Sequence, residues 1–215
     1  MEPSTRDPKF LRRYTSLPSL LHVLQNKQMT FLNPATWDDR NDAYFMEQYK
    51  QRKKFKTALA LCFSETGETY HHWRVFTRGS EGVCIHFHNL QLMRTLKRIG
   101  EIRSGQVKYK PIDDLERTHP AADKLPFLKR LPYEHEFEFR ILYVSKTKEY
   151  ETKGIDIDLS CIERVVLNPW MPKPLANSVK ATIKSIPGCA HLSVYRTTLL
   201  ENERWMNCAM QMAKT

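Results

Sequence analysis

The sequence predicts an α+β fold, one domain over residues 1–215 with a mixed or mainly antiparallel sheet flanked by short helices. Three observations predict it. Strand-like runs, either alternating or wholly apolar ("ALALCFSE", "GVCIHFH", "EFEFRILYV", "IERVVLNP"), are spread along the whole chain. Helical patterns between them are few and short. Strands and helices follow in no fixed alternation, which argues against the regular strand–helix repeat of an all-parallel sheet.

The elements can be justified in order. "KFLRRYTS" reads as a short strand, followed by a helix over "SLPSLLHVLQNKQ" with Ser16 as N-cap and Pro18 in the first turn. Leu17, Leu20, Leu21 and Leu24 give that helix its apolar stripe. "MTFLN" is a strand closed by "NPATWDDRND", a cluster of turn formers. "ALALCFSE" and "GVCIHFH" are strands separated by the polar "TGETYHHWRVFTRGSE", and a basic helix spans about Leu90–Ile99. "IDDLERTHPAADKLPFLKRLP" is proline-rich and reads as a covering loop or broken helix. A strand from Tyr133 to Val144 comes next, then "IERVVLNP", a helix around "PLANSVKATIKSI" and a closing "HLSVYRTTL". Residues 199–215 read as a C-terminal tail or helix.

Composition narrows the class. No run approaches the roughly 18–20 apolar residues of a membrane span, and "MEPSTRDPKFLRRY" lacks the apolar segment of a signal peptide. A cytoplasmic chain that makes no membrane contact is the expectation. Cys62, Cys84, Cys161, Cys189 and Cys208 are odd in number and unpaired in spacing, which argues against a disulfide scaffold or zinc ribbon. The net charge of +10 is concentrated in "YKQRKKFK", "MRTLKRIGEIR" and "DKLPFLKRLP", and such surfaces attract polyanions.

Three constellations could carry chemistry. Cys84, His86 and His88 alternate along one strand, with His71 and His72 upstream; thiol and imidazole suit zinc or iron, but a distant fourth ligand is needed. Glu134, Glu136, Glu138 and Arg140 share one strand face, with Phe137, Phe139 and Ile141 on the other. Such a carboxylate row could serve a magnesium-dependent nuclease. That reading needs an Asp and a Lys nearby, and Asp38, Asp39 and Asp42 read as turn residues. The third constellation is an order: Arg13 in the first strand, Ser64 and Thr66 ending a middle strand, Glu136-x-Glu138 on a later one. It resembles the active-site plan of ADP-ribosyltransferases, which use NAD as substrate and need no metal.

In that plan a carboxylate stabilises the positive character that develops on the ribose as nicotinamide leaves. It implies Glu138 as the catalytic group, Glu136 as its assistant and Ser64 steadying the ribose or the glutamate. Arg13 would hold the diphosphate or the adenosine ribose, while Tyr14 and Trp73 stack on nicotinamide. Arg140 is expected to pair with Glu138, leaving the other carboxylate free for the ribose. Asn41 and Asp42 are expected to fix a loop beside the site.

The ordered set "RRYTSL", "LNPATWDDRND", "CFSE", "HHWRVFTRGSEGVCIHF", "VKY", "EFEFRIL" and "RVVLNP" resembles a bacterial family of unknown function found in mobile and phage-defence (abortive-infection-type) loci. The resemblance covers most of the chain. Position by position it marks Arg13, Tyr14, Asn41, Asp42, Ser64, Trp73, Gly82, Glu136, Glu138 and Arg140. This chain departs from it at Ala43, where the family has proline, and at Phe76, where it has tyrosine. An NAD-using transferase or NAD-cleaving effector is one reading; a non-catalytic basic module for nucleic acid, a defence-complex partner or an antitoxin is another. A metal-dependent nuclease is the third. Convergence of Arg13, Ser64, Glu136 and Glu138 on one concave pocket would favour an enzyme.

Overall fold

A computed structural model describes residues 6–77 and 79–212. The start of the N-terminal stretch read for a leader, and residues 213–215 of the C-terminal tail, lie outside them. β1 (Phe10–Ser16) runs straight into α1 (Leu17–Asn26), whose first turn is capped where the Ser16 hydroxyl accepts from the Ser19 amide. β2 (Gln28–Phe31) follows, then a 3-10 turn at Pro34–Thr36 and α2 (Arg40–Arg52). The central elements are β3 (Thr57–Ser64), α3 (Tyr70–Phe76), β4 (Gly82–His88), α4 (Asn89–Leu96), β5 (Ile102–Gln106) and β6 (Lys108–Lys110). Next come α5 (Ile112–Thr118), β7 (Leu128–Arg130), β8 (Glu138–Ser145) and β9 (Lys153–Asp156). The chain closes with β10 (Ile162–Leu167), α6 (Lys173–Ser185), β11 (Ser193–Arg196) and α7 (Glu203–Met212).

Seven strands form the main sheet in the order β11-β10-β4-β1-β3-β8-β5. Every neighbouring pair is antiparallel except β10 with β11, so the sheet is the predicted mixed and mainly antiparallel one. β2 pairs with β9 and β6 with β7 in two small ribbons. One face of the main sheet carries Leu11, Leu61, Phe63, Ile85, Phe87, Ile141 and Val165 into the large core, where Leu20, Leu24, Leu92, Leu96 and Ile183 from α1, α4 and α6 meet them. β3 is apolar on both faces because both are covered, which explains its unbroken run of Ala and Leu.

Several expectations are corrected. "NPATWDDRND" is more than a turn: Asp39 caps α2, accepting from the amides of Asn41 and Asp42, so those two residues begin a helix instead of fixing a loop. The strand expected from Tyr133 starts only at Glu138. Residues Leu131–Glu136 form a 3-10 turn, and Phe137, at φ 46°, breaks the alternation, so Glu134 and Glu136 do not stand on the strand and Glu134 is exposed. The polar link after β3 contains α3, the basic helix stops at Leu96, and β9 had no clear signal among its charged neighbours. α7 buries none of its side chains. Among the described residues no helix is long and apolar enough to cross a membrane.

Candidate active site

Cross-strand register sets the neighbours on the second face of the sheet. Ser64 lies opposite Glu138 and Cys62 opposite Arg140, while Arg12 lies opposite Ser64. Directly opposed residues share a face, so Arg12, Cys62, Ser64, Glu138 and Arg140 form one polar band. An apolar patch flanks it on each side. Ala58, Ala60, Leu142 and Val144 pack under Met46 and Tyr49 of α2; Cys84 and Val166 pack under Trp73 of α3. Between these covers, β1 and β3 share only the Arg12–Ser64 position. A cleft of about 650 Å³ opens there, well within the roughly 300–1,000 Å³ of small-molecule sites.

Arg13, Tyr14, Asp42, Ser64, Glu136 and Glu138 all line this cleft, which brings the discriminating residues together. Trp73 and Asn41 are not brought to it. Trp73 is fully buried, donates to Glu68 and meets Tyr14 edge-on, so it supports that ring instead of offering its own face. Asn41 is exposed and donates to Asp39. Gly82 is explained by packing: a Cβ there would lie 2.2 Å from that of Thr77, whose hydroxyl accepts from Asn168.

Arg140 organises the floor from beneath. Its Nε and Nη2 donate to the two oxygens of Glu138 at 2.8 and 2.9 Å, and Nη1 and Nη2 donate to those of Asp42 at 2.9 and 2.8 Å. The remaining N–H goes to the Pro126 carbonyl, so all five guanidinium donors are engaged. Trp37 covers its face, 4.7 Å from ring centre to guanidinium carbon. The expected pairing with Glu138 is present, but the other glutamate is not free. Lys129 donates to Glu136 at 2.6 Å and lies 3.6 Å from Glu138 and 3.8 Å from Asp42. Ser64 donates to the Glu136 carbonyl at 2.8 Å and so steadies that residue through its backbone.

Three carboxylates thus face two cations in a nearly dry space. Burial, reinforced by the charges of Glu138 and Asp42 and opposed by Lys129, pushes Glu136 up to about 7. Burial acts against Glu138 too, but Arg140 and Lys129 outweigh it and hold that carboxyl down to about 2. Lys129 is held above its usual range, burial notwithstanding, by Glu138 and Glu136. Glu136 accepts from Lys129 only through Oε2 among the described residues, whereas both oxygens of Glu138 are taken.

The β1 side has the opposite sign. Arg12 is almost buried and donates Nη2 to Asp7 at 2.8 Å, while its Nε and Nη1 find no partner among the described residues. Arg13 donates to the Cys62 carbonyl and lies over the Phe63 ring. Burial keeps the Tyr14 phenol protonated beside the Cys84 thiol. Sequence reasoning missed Arg12, Lys129, Trp37 and Tyr133, all lining the cleft. Lys129 was readable only as one more charge in a basic run, although Trp37 stands inside the quoted "NPATWDDRND".

The candidate metal sets fare differently. Cys84 is sealed in the core, and His88 pairs with Glu163 at 2.6 Å. Burial and the neighbouring Arg12 and Arg164 lower His86 to about 3. Among the described residues no group of three His, Cys, Asp or Glu could hold a metal ion. The Asp and Lys that a nuclease centre needs do arrive, as Asp42 and Lys129. However, the Arg140 guanidinium already fills the space between Asp42 and Glu138 where a divalent ion would bridge them.

No protein-family model matches the chain, and no curated protein does. Solved structures of DarT from Thermus sp. 2.9 are similar in outline. Its complex with NAD+ aligns over 89% of this chain and 96% of its own at 9% identity, TM-score 0.45. Its complex with ADP-ribosylated ssDNA aligns over 92% and 98% at 10% identity, TM-score 0.47. The complex with carba-NAD+ aligns over 90% and 97% at 10% identity, TM-score 0.43. Likeness at that level leaves the chemistry to the cleft's own residues.

Proposed function

We propose that the cleft binds NAD and that the chain is an ADP-ribosyltransferase-like or NAD-cleaving enzyme. The polarity of the cleft carries this reading. Its floor sets Asp42, Glu136 and Glu138 against Lys129 and Arg140, a surplus of one negative charge once Glu136 has lost its proton and all three carboxylates are ionised. Its β1 side presents Arg12, two of whose guanidinium nitrogens find no partner among the described residues. Arg12 and Glu138 stand two strands apart on one face, roughly 10 Å, so one extended ligand reaches both. NAD is polarised in the same sense, with a cationic pyridinium on one ribose and an anionic diphosphate beyond it.

The chemistry follows from the charges. When the bond between the ribose C1′ and the nicotinamide nitrogen breaks, its electron pair goes to nitrogen and positive character grows on C1′. A fixed negative floor stabilises that change more than it stabilises the bound substrate. Glu138, locked by Arg140, supplies the constant charge. Glu136, with one oxygen open and a pKa raised to about 7, suits the base that takes a proton from the attacking water, hydroxyl or amine. This reading moves the proton-handling role from Glu138 to Glu136.

The test is nicotinamide release from NAD by the pure protein, with and without nucleic acid or protein acceptors. Release is expected from the wild type, with a loss of about 10²-fold in Glu136→Gln and a raised KM in Arg12→Ala. No release under any acceptor condition would sink the reading.

Nucleic acid as partner is favoured by a separate observation. Arg12 and Arg164 flank the neutral His86 across β1, β4 and β10, a row leading away from the cleft in which each arginine meets one acid, Asp7 or Glu163. Oligonucleotide binding by the wild type and its loss in Arg164→Ala would support the row as an acceptor track. The defence or toxin role implied by the family resemblance is tested by phage plating and host growth, with Glu136→Gln as the inactive control.

A further inference from the structure

Phe137 carries a left-handed backbone, φ 46°, at the junction between the two glutamates. Bulky side chains rarely adopt it, because it brings Cβ too close to the following carbonyl oxygen. Such a residue persists only where its surroundings over-determine it. Here they do. The Phe137 amide donates to the Glu134 carbonyl at 3.2 Å and its carbonyl accepts from the Glu65 amide at 2.9 Å. Ser64 holds the Glu136 carbonyl, the Tyr109 hydroxyl accepts from the Glu138 amide at 2.8 Å, and the Val107 amide donates to the Glu138 carbonyl at 2.9 Å. Arg6 rests over the Phe137 ring, 5.5 Å from its centre. Contacts from several separate stretches of the chain therefore fix these consecutive residues.

The consequence is a change of direction between two glutamates that an unbroken strand would carry in one line. Before the turn, a 3-10 segment brings Tyr133 and Glu136 to the cleft; after it, β8 begins with Glu138. Both carboxylates meet at Lys129. We propose that Phe137 is a positioning residue whose left-handed backbone, more than its ring, holds the Glu136 carboxylate on Lys129 beside Glu138. The inference concerns how the floor is assembled and stands whichever substrate enters the cleft.

The experiment separates backbone from ring. Phe137→Gly and Phe137→Asn lose the ring but accept φ > 0 readily; Phe137→Leu loses the ring and keeps the strain; Phe137→Val opposes the conformation most. The readout is the titration of Glu136 by carboxyl NMR, assigned with Glu136→Gln, alongside thermal unfolding. In wild type, Gly and Asn variants Glu136 should titrate alike; in Val, where the carboxylate leaves Lys129, its titration should move by at least one unit, with Leu between. If Val does not fold, agreement of Gly and Asn with wild type against a moved Leu decides. Gly and Asn moving as far as Leu would assign the effect to the ring and overturn the proposal. An unmoved titration in Val or Leu would do the same.

Discussion

One residue, Phe137, separates Glu136 from Glu138, yet their surroundings push the carboxyl groups apart, one up to about 7 and the other down to about 2. The signs give opposite pH dependences. Glu136 is raised from 4.5, so between there and about 7 the folded state holds a proton that the unfolded chain has released. Its contribution to stability is complete below that window and is lost as pH rises through it. Glu138 is depressed, so its contribution is present above 4.5 and is lost as pH falls toward 2. Thermal unfolding midpoints measured across pH 4.5–7 should therefore decline less in Glu136→Gln than in wild type; equal slopes would show that Glu136 titrates normally. In the proposed reaction, where Glu136 acts as its anion, turnover should rise as pH passes about 7. Asp42→Ala should destabilise by about 1–3 kcal/mol in denaturant titration, because it takes the acceptors of two donors of the buried Arg140 while Glu138 still pairs its charge; an unchanged unfolding midpoint would show that the pair contributes nothing.

At the scale of elements, α2 shows what the floor depends on. Asp39 caps it and Asp42, in its first turn, reaches Arg140. Asp39→Ala should cost about 1 kcal/mol while Asp39→Asn costs little, since asparagine caps equally well; a comparison of unfolding midpoints checks this. The strands were legible because burial of one or both faces writes itself into period-two or unbroken apolar runs, as in β3, β4 and β10. α1 was legible through Ser16, Pro18 and its leucine stripe. α2 was hidden because its cap and first turn use Asp and Asn, the same residues that favour turns. The break at Phe137 was hidden because phenylalanine gives no hint of φ > 0, so the alternation of "EHEFEFR" read straight through it. Ser64, Glu136, Glu138 and Arg140 were found because they lie on or beside strands. Lys129 and Arg12 were not, since their meaning comes from register across elements distant in sequence.

For the whole molecule, the surplus of 34 basic over 24 acidic residues is a field more than a set of contacts. If it gathers nucleic acid, binding should weaken steeply as salt rises, through counterion release; salt-insensitive binding would locate the affinity elsewhere. The single position shared by β1 and β3 bears on how the molecule breathes. β11, β10, β4 and β1 form one block and β3, β8 and β5 another, each knit by long ladders but joined to each other within the sheet by one ladder position, with the Asp7–Glu65 backbone bond beside it and the shared core beneath. Blocks of that kind open as separate cooperative units. Amide exchange should accordingly sort the sheet into two protection classes with the seam between Arg12 and Ser64, and a ligand that spans the seam should draw the two classes together by acting as the missing rungs.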